Sequence, residues 1–233
     1  MDIKIISSGS QAGNAYLVSD GETTLILDAG VPLQKIQVAS GFQLSKIAAC
    51  LCTHAHKDHS AAISALSARG IDIYSGAETF ARAATRGHRA HIITPLKKFD
   101  VGTFSVLPFD VAHDVETYGF MVTSSVTNER LLYITDASYV KYSFPAVDYM
   151  LIEANHDAES IYTAVDDGCT NARLARRVFG SHMSIDTLIE FLRANDLSKL
   201  EKIYLIHLSD NHSNAEGYRE RIQRISGCMV EVC

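Results

Sequence analysis

Residues 53–59 read Thr-His-Ala-His-Lys-Asp-His, which places four metal-ligand side chains, His54, His56, Asp58 and His59, within six residues. Three imidazoles and a carboxylate are the donor types that borderline divalent ions such as zinc prefer. Without an ion, so many polar groups crowded together would all need partners in one place. A group this close-set cannot turn all four donors onto one tetrahedral ion. His54 and His56 can reach one ion, and Asp58 and His59 a second one nearby. Each ion then needs ligands from elsewhere, and the sequence offers three, each just past an apolar run: His113, Asp136 and His207. Loops at strand ends are where a rigid sheet presents functional groups.

The elements that must hold these residues can be read from the apolar patterning. Short β-rich runs at residues 3–6, 15–18 and 24–27, separated by Gly, Asn and Asp turns, predict strands. A helix at 32–40 precedes a strand at 47–52, which leads into the histidine loop. A helix at 61–68, a strand at 71–74 and a helix at 78–85 follow. The second half predicts strands at 104–109, 118–123, 130–134 and 149–153, then helices at 171–179 and 184–195. A strand at 202–206, a helix at 214–225 and a last strand at 229–232 complete it. Meander-like strands with interleaved helices in both halves predict two sheets packed face to face with helices outside. Patterning alone stops at a layered α/β or α+β chain.

Bulk composition narrows the classes. With 233 residues, 47% hydrophobic and 21% charged, the chain can bury a sizeable core and does not read as disordered. No run approaches the roughly 18 apolar residues of a membrane span, and Met1-Asp2-Ile3-Lys4 leads straight into a strand pattern without a leader. The expectation is a cytoplasmic protein with no membrane contact. Five cysteines form no CxxC pair, and Cys50 and Cys52 read as core thiols on one face of a strand. The net charge of −6 argues against a protein that grips polyanions with its whole surface, though not against a local basic patch.

The segment Thr53-His54-Ala55-His56-Lys57-Asp58-His59, followed in order by His113, Asp136 and His207, resembles the signature of the metallo-β-lactamase superfamily. Ile26-Leu27-Asp28-Ala29-Gly30 is similar to that superfamily's early strand-Asp-x-Gly turn. The resemblance runs nearly the whole length. It implies a four-layer αββα sandwich, a single domain over residues 1–233 made of two pseudo-symmetric αβ halves, with no inserted domain. It implies two divalent ions, zinc first and manganese as the alternative. His54, His56 and His113 would hold the first ion, Asp58, His59 and His207 the second, and Asp136 would bridge them. Asp28 either supports the loop from behind or merely ends a strand. Finer segments resemble the YycJ/WalJ-like group: Ser7-Ser8-Gly9-Ser10-Gln11-Ala12-Gly13-Asn14, Glu153-Ala154-Asn155-His156-Asp157, Ser181-His182-Met183-Ser184 and His207-Leu208-Ser209. That likeness implies a nuclease, with 5′-exonuclease action on double-stranded DNA. The tail Asp210-Asn211-His212-Ser213-Asn214 departs from the group's Asn-rich pattern.

The implied chemistry is hydrolysis by a metal-bridging hydroxide. Two ions about 3.5–4 Å apart can share a water and lower its pKa from about 15.7 to about 7. Asp58 and Asp136 are then the catalytic carboxylates. His182, just before a helix, is expected to contact a phosphate or supply a proton, or else to cap that helix. His156 stands between an active-site role and a supporting hydrogen bond. Arg173 and Arg177 share a helix face and are candidates for phosphate contact. Arg82, Arg86 and Arg89, with Lys97 and Lys98 beyond, form a second basic group, and each group alone reads equally as a solvated face. His88 and His91 lack ligand spacing. His56 stands where the flavodiiron oxidoreductases carry a carboxylate, so redox chemistry is disfavoured. A nucleic acid or other phosphodiester is the expected substrate, with small thioesters or lactones as the alternative. A metal-binding fold without catalysis has no evident need for seven ligands.

Overall fold

In the computed structural model residues 1–209 and 213–233 are described; Asp210, Asn211 and His212, the core of the variant tail, lie outside them. The chain is mixed α/β and divides into two compact units, residues 1–110 with 115–130, and residues 111–114 with 131–233. Among the described residues no helix is long and apolar enough to cross a membrane.

The first unit opens with β1 (Asp2–Ser7), β2 (Ala15–Ser19) and β3 (Thr24–Leu27), an antiparallel set. After α1 (Leu33–Ala39), β4 (Ile47–Leu51) joins β3 in parallel. The histidine loop follows and passes into α2 (Lys57–Ser60) and α3 (Ile63–Ser67). Next come β5 (Asp72–Ser75), α4 (Ala77–Arg82) and β6 (Ala90–Ile92), with both strands parallel to β4. An antiparallel meander, β7 (Phe99–Val101), β8 (Phe104–Asp110) and β9 (Tyr118–Ser124), completes the unit. Tyr16, Val18, Leu25 and Leu27 are as fully buried as Ala15, Ile26 and Cys50 on the alternate positions. Strands buried on both faces lose their polar alternation, which is why β2–β4 read as continuous apolar runs. Phe104, Phe109 and Phe120 are buried in the meander, and truncating any of them to Ala should cost about 3–5 kcal/mol.

The second unit is built on β10 (Arg130–Ile134), β11 (Tyr149–Glu153), β12 (Lys202–Ile206) and β13 (Met229–Val232), all parallel. Its helices are α5 (Ala158–Asp166), α6 (Ala172–Ser181), α7 (Ile185–Arg193) and α8 (Ala215–Ser226). Each starts at a side-chain cap: Asp157, Asn171, Ser184 and Asn214 accept amides of the first turn. α7 buries Ile185, Leu188, Ile189 and Leu192, spaced at helical period.

Three differences from the patterning have physical causes. The helix expected at 61–68 starts inside the histidine loop, because Ser60 Oγ bonds back to the carbonyls of Ala55 and His56 and closes a turn there. α5 was not expected; it buries only Ile161 and so leaves almost no apolar period. β6 and β7 are three residues each, too short to alternate.

Asp20 ties three segments of the first unit together. Its carboxylate accepts from the Thr103 hydroxyl at 2.6 Å, the Ser124 hydroxyl at 2.7 Å and the amides of Thr23 and Glu22. Burial alone would raise its pKa; these four donors outweigh burial and hold it at about 2, against 3.8 ordinarily. A folded-state pKa below the unfolded one stabilises above the unfolded value, and the contribution fades as pH falls from about 4 to about 2. Asp20→Asn should therefore lower the Tm at pH 7 and flatten the acid decline across that window. A wild-type loss of Tm between pH 4 and 2 that persists in Asp20→Asn would refute this account.

Candidate metal centre

Parallel pairing delivers the first set of donors. Leu27 and Leu51 are register partners at the ends of β3 and β4, so Asp28 lies beside Thr53 and the histidine loop. Asp28 is fully buried. Its carboxylate accepts from the Thr53 amide at 2.7 Å, from the Thr53 hydroxyl at 3.0 Å and from His59 Nδ1 at 2.7 Å. A carboxylate can only accept, so His59 carries its proton on Nδ1 and offers a lone pair at Nε2. The Thr53 hydroxyl spends its one proton on Asp28 and can only accept from His54 Nδ1, 3.0 Å away. His54 is thereby set in the same tautomer, with a lone pair at Nε2. One buried carboxylate orients two imidazoles.

The loop backbone is clamped as well. Asn14 N and Ala29 N donate to the carbonyls of Asp58 and His59, and Gly30 N donates to Asn14 O. Asn14 Nδ2 lies 3.2 Å from Asp58 O and 3.0 Å from His59 Nε2, while its Oδ1 accepts from Gly9 N and Tyr16 Oη. A Cβ on Gly30 would sit 1.6 Å from Asp58 O, and one on Gly13 would sit 2.0 Å from Gly30 O. Cys50 and Cys52 are fully buried, and burial, with the Asp28 charge added, pushes both thiols well up. They are neutral core thiols; Cys52 Sγ points at the carbonyls of His54 and His59.

The second unit repeats the arrangement with other residues. Ile134 pairs with Ile152, and Glu153 with Ile206, so Asp136, Glu153 and His207 emerge at the carboxyl ends of three adjacent parallel strands. This is where open parallel sheets present ligand sites. Glu153 is fully buried and receives four donors: His182 Nδ1 at 2.7 Å, His207 Nδ1 at 2.9 Å, and the amides of Ala137 and Met183. Burial opposes its charge, but the neighbouring His182 holds its carboxyl well below the usual range; Glu153 in turn raises His182 against burial. His113 donates Nδ1–H to Ser181 O at 2.7 Å. His113 and His207 therefore both present Nε2, at 3.6 Å and 3.5 Å from the Asp136 oxygens.

Asp28, Asp136 and His207 have left-handed backbones, φ 55°, 49° and 55°. Each lies within two residues of a strand's end, and the turn there redirects the side chain. Outside glycine such a conformation costs roughly 1–2 kcal/mol.

The donor atoms fit divalent ions. Two ligands at 2.0–2.2 Å on a tetrahedral ion lie about 3.4 Å apart. His54 Nε2 and His56 Nδ1 are 3.0 Å apart, and His59 Nε2 is 3.4 Å from Asp58 Oδ2. The Asp136 contacts in the second unit, 3.6 Å and 3.5 Å, lie close to the same separation. Asp136, Glu153, His182 and His207 each offer an atom within 4.8 Å of the others. Imidazole and carboxylate donors of this kind suit zinc or manganese.

The other candidates fall as follows. His182 ends α6 and its Nδ1 is committed to Glu153; it does not cap α7, whose cap is Ser184. His156 is buried with its ring edge-on to Phe179 at 5.3 Å. Arg173 and Arg177 are exposed one turn apart on α6. His91 stacks on Tyr74 at 4.5 Å, and His88 is exposed. Two residues were not singled out from sequence. Glu153 was read only as part of a motif, and Asn14 as the end of another. A carboxylate closing the apolar run of β11 was the available signal for Glu153.

The sequence matches the Beta-lactamase superfamily domain over residues 23–208. The chain belongs to the metallo-β-lactamase superfamily. No curated protein matches it significantly. Among solved structures it is similar to the metallo-β-lactamase fold protein YhfI from Bacillus subtilis, with TM-score 0.76 and 18% identity, over 99% of this chain and 95% of that one. It is similar to Zn(2+)-bound PqqB from Methylobacterium extorquens, with TM-score 0.72 and 16% identity, over 100% and 97%. It is also similar to the short form of human tRNase Z, with TM-score 0.65 and 18% identity, over 100% and 96%. At such identities the likeness establishes the fold. The metallo-β-lactamase fold binds paired metal ions, and superfamily members include metal-dependent hydrolases, phosphodiesterases and nucleases among them.

Asp28→Asn should keep the Thr53 amide bond but face an NH2 toward His59 Nδ1. That forces the His59 proton onto Nε2. Affinity for zinc should fall about 10–100-fold, the usual cost of losing a residue that orients a metal ligand, with the tautomer change visible in the imidazole 15N spectrum. Unaltered metal affinity in a folded variant would contradict the orienting role. Gly30→Ala should destabilise the protein by about 1–3 kcal/mol or more, because the added methyl meets backbone; a wild-type Tm would show that the clamp yields freely.

Proposed function

We propose that the protein is a dinuclear metal-dependent phosphodiesterase whose substrate is nucleic acid, with 5′-exonuclease action on DNA as its specific form. The observation that carries the reading is the shared orientation of His54, His59, His113 and His207. Each has Nδ1 facing a fixed acceptor, and each offers Nε2. Following the superfamily's pattern, His54, His56 and His113 would bind one ion, Asp58, His59 and His207 the other, and Asp136 both. Zinc is the proposed metal, manganese the alternative, in a single 1–233 domain. Ions so held supply Lewis-acid polarisation of a phosphoryl oxygen and acidify a water molecule.

The chain's own residues supply the rest. Asp136, anchored by the Thr135 hydroxyl at 2.9 Å, presents its carboxylate toward two imidazoles and would set the spacing of the ligands around it. His182 lies mostly buried at the end of α6, its side chain 14% exposed, with Nδ1 bound to Glu153 and no partner for Nε2 among the described residues. That ring position is held rigidly and suits contact with a phosphate oxygen or protonation of the leaving oxygen. His156 would back this segment from within, and Arg173 and Arg177 on the same helix would face phosphates outside it. The phosphodiester preference is supported by the YycJ/WalJ-like segments that contain Asn14, Glu153 and His182, because Asn14 clamps the backbone of the histidine loop, Glu153 orients a candidate ligand and the third is His182 itself.

Metal-reconstituted protein should hydrolyse bis-p-nitrophenyl phosphate and degrade 5′-labelled double-stranded DNA, and should lose both activities on chelation. Asp58→Ala and Asp136→Ala should each abolish turnover while the far-UV CD spectrum stays native. Turnover of a thioester or lactone panel with no phosphodiester cleavage would overturn the proposal in favour of a small-ester hydrolase.

A further inference from the structure

The net charge of −6 conceals a strong segregation. Residues 57–98 carry seven Lys or Arg against three Asp or Glu, whereas the remainder of the chain carries fourteen against twenty-four. Within the first unit five of these cations, Lys57, Arg69, Arg82, Arg86 and Arg89, line two adjoining cavities. One, of about 490 Å³, runs from His56 and Lys57 in the metal loop past Ser60 and Ala61 to Arg82. The other, of about 770 Å³, is walled by Arg69, Arg86, His88 and Arg89. Ser64 lines both, so the two cavities meet at that residue, and together they border a grooved face that begins at the metal loop.

The backbone aims the cations into it. The turn after α3 closes at Gly70, φ 91°, with Ile71 N bonded back to Leu66 O and Arg69 within that turn. The turn after α4 closes in the same way at Ala84, φ 49°, with Thr85 N bonded to Phe80 O. Thr85 is buried, which leaves Arg86 exposed at the lip. Part of this charge has structural work: Arg69 bonds Ala65 O, Arg82 pairs with Glu78, and Arg89 pairs with Asp72. Lys57 and Arg86 have no ion-pair partner among the described residues, and Arg69 meets only a carbonyl. Cations without carboxylates, gathered along a groove of an acidic chain, are the footprint of a phosphate backbone. Ala61, Ser64, Ser67 and Ala68 in the lining are small, and the lining includes no Phe, Tyr or Trp on which a base could stack. The groove thus suits contact with phosphates and not with bases.

We infer that this groove is the track for a nucleic-acid strand: its sugar-phosphate backbone runs from the metal loop over Ser64 to Arg69 and Arg86, without sequence preference. The inference rests on the nuclease reading above and adds the surface that holds the strand. It is tested by fluorescence anisotropy with labelled phosphorothioate oligonucleotides, single- and double-stranded, alongside hydrolysis of bis-p-nitrophenyl phosphate. Arg69→Ala/Arg86→Ala should weaken oligonucleotide binding roughly tenfold and reduce the slope of log K against log salt by about 1.5, since each lost contact removes about 0.7–0.9. Turnover of the small diester should be unchanged. Arg69→Lys/Arg86→Lys should restore most of the affinity, and both variants should keep the wild-type Tm. Unchanged binding and slope in the Ala variant would overturn the inference, as would a loss seen only in Arg173→Ala/Arg177→Ala, which would route the strand along α6. Binding of anionic vesicles without oligonucleotide would overturn it too. Small-diester hydrolysis without any oligonucleotide binding sinks the groove and spares the metal chemistry. Arg-dependent binding without hydrolysis of any phosphodiester does the reverse.

Discussion

A carboxylate cut off from water must have its lone pairs filled by donors, or its burial becomes prohibitively costly. Asp28 and Glu153 are both in that position, each just past or at the end of a buried strand, and each is filled largely by imidazole N–H groups and backbone amides. The requirement runs in both directions. The carboxylate gains its donors, and the imidazoles lose their rotational and tautomeric freedom. Because Nδ1 is taken on the buried side, Nε2 is what remains on the other. The orientation of His54 and His59 in one unit and of His207 in the other is therefore a by-product of satisfying one interior carboxylate.

The sheets make this economical. In parallel strands all carboxyl ends emerge on one side, so residues far apart in sequence arrive in register without long loops. Asp28 meets Thr53 in this way, and Asp136 meets Glu153 and His207. The loop that carries most of the donors is then fixed from behind by backbone contacts so close that Gly13 and Gly30 tolerate no side chain. Pre-organisation of this kind lets ligands hold their places before any ion arrives.

Legibility from the sequence followed physical range. His54, His56, Asp58 and His59 fall within six residues and directly follow an apolar strand, so spacing alone marks them as candidate ligands. His113, Asp136 and His207 stand out as further candidates because each follows an apolar run. The strands of β2–β4 and β10–β12 were legible for the same reason, whereas α5 and the three-residue β6 and β7 carry too little apolar period. Glu153 was hidden because a carboxylate at a strand end resembles any solvated loop residue until its four donors are seen. Asp28 stayed undecided because its role depends on register between β3 and β4. The basic face was half visible: Arg82, Arg86 and Arg89 stood out, but Arg69 joins them only through the turn that follows α3, and Lys57 only through the start of α2 in the histidine loop.

The left-handed backbones of Asp28, Asp136 and His207 carry a further implication for how this protein can change over time. Each position holds a residue that the backbone disfavours, and glycine would relieve it. At Asp28 and His207 that relief is opposed, because glycine would orphan the Thr53 and His59 donors of the one and the Glu153 acceptor of the other. A selection that rewarded persistence of the fold alone would therefore drift toward glycine first at Asp136, and variants recovered from heat challenge should be checked at that codon first. The protein's tolerance for disfavoured residues there is a running record of whether its chemistry is still being selected.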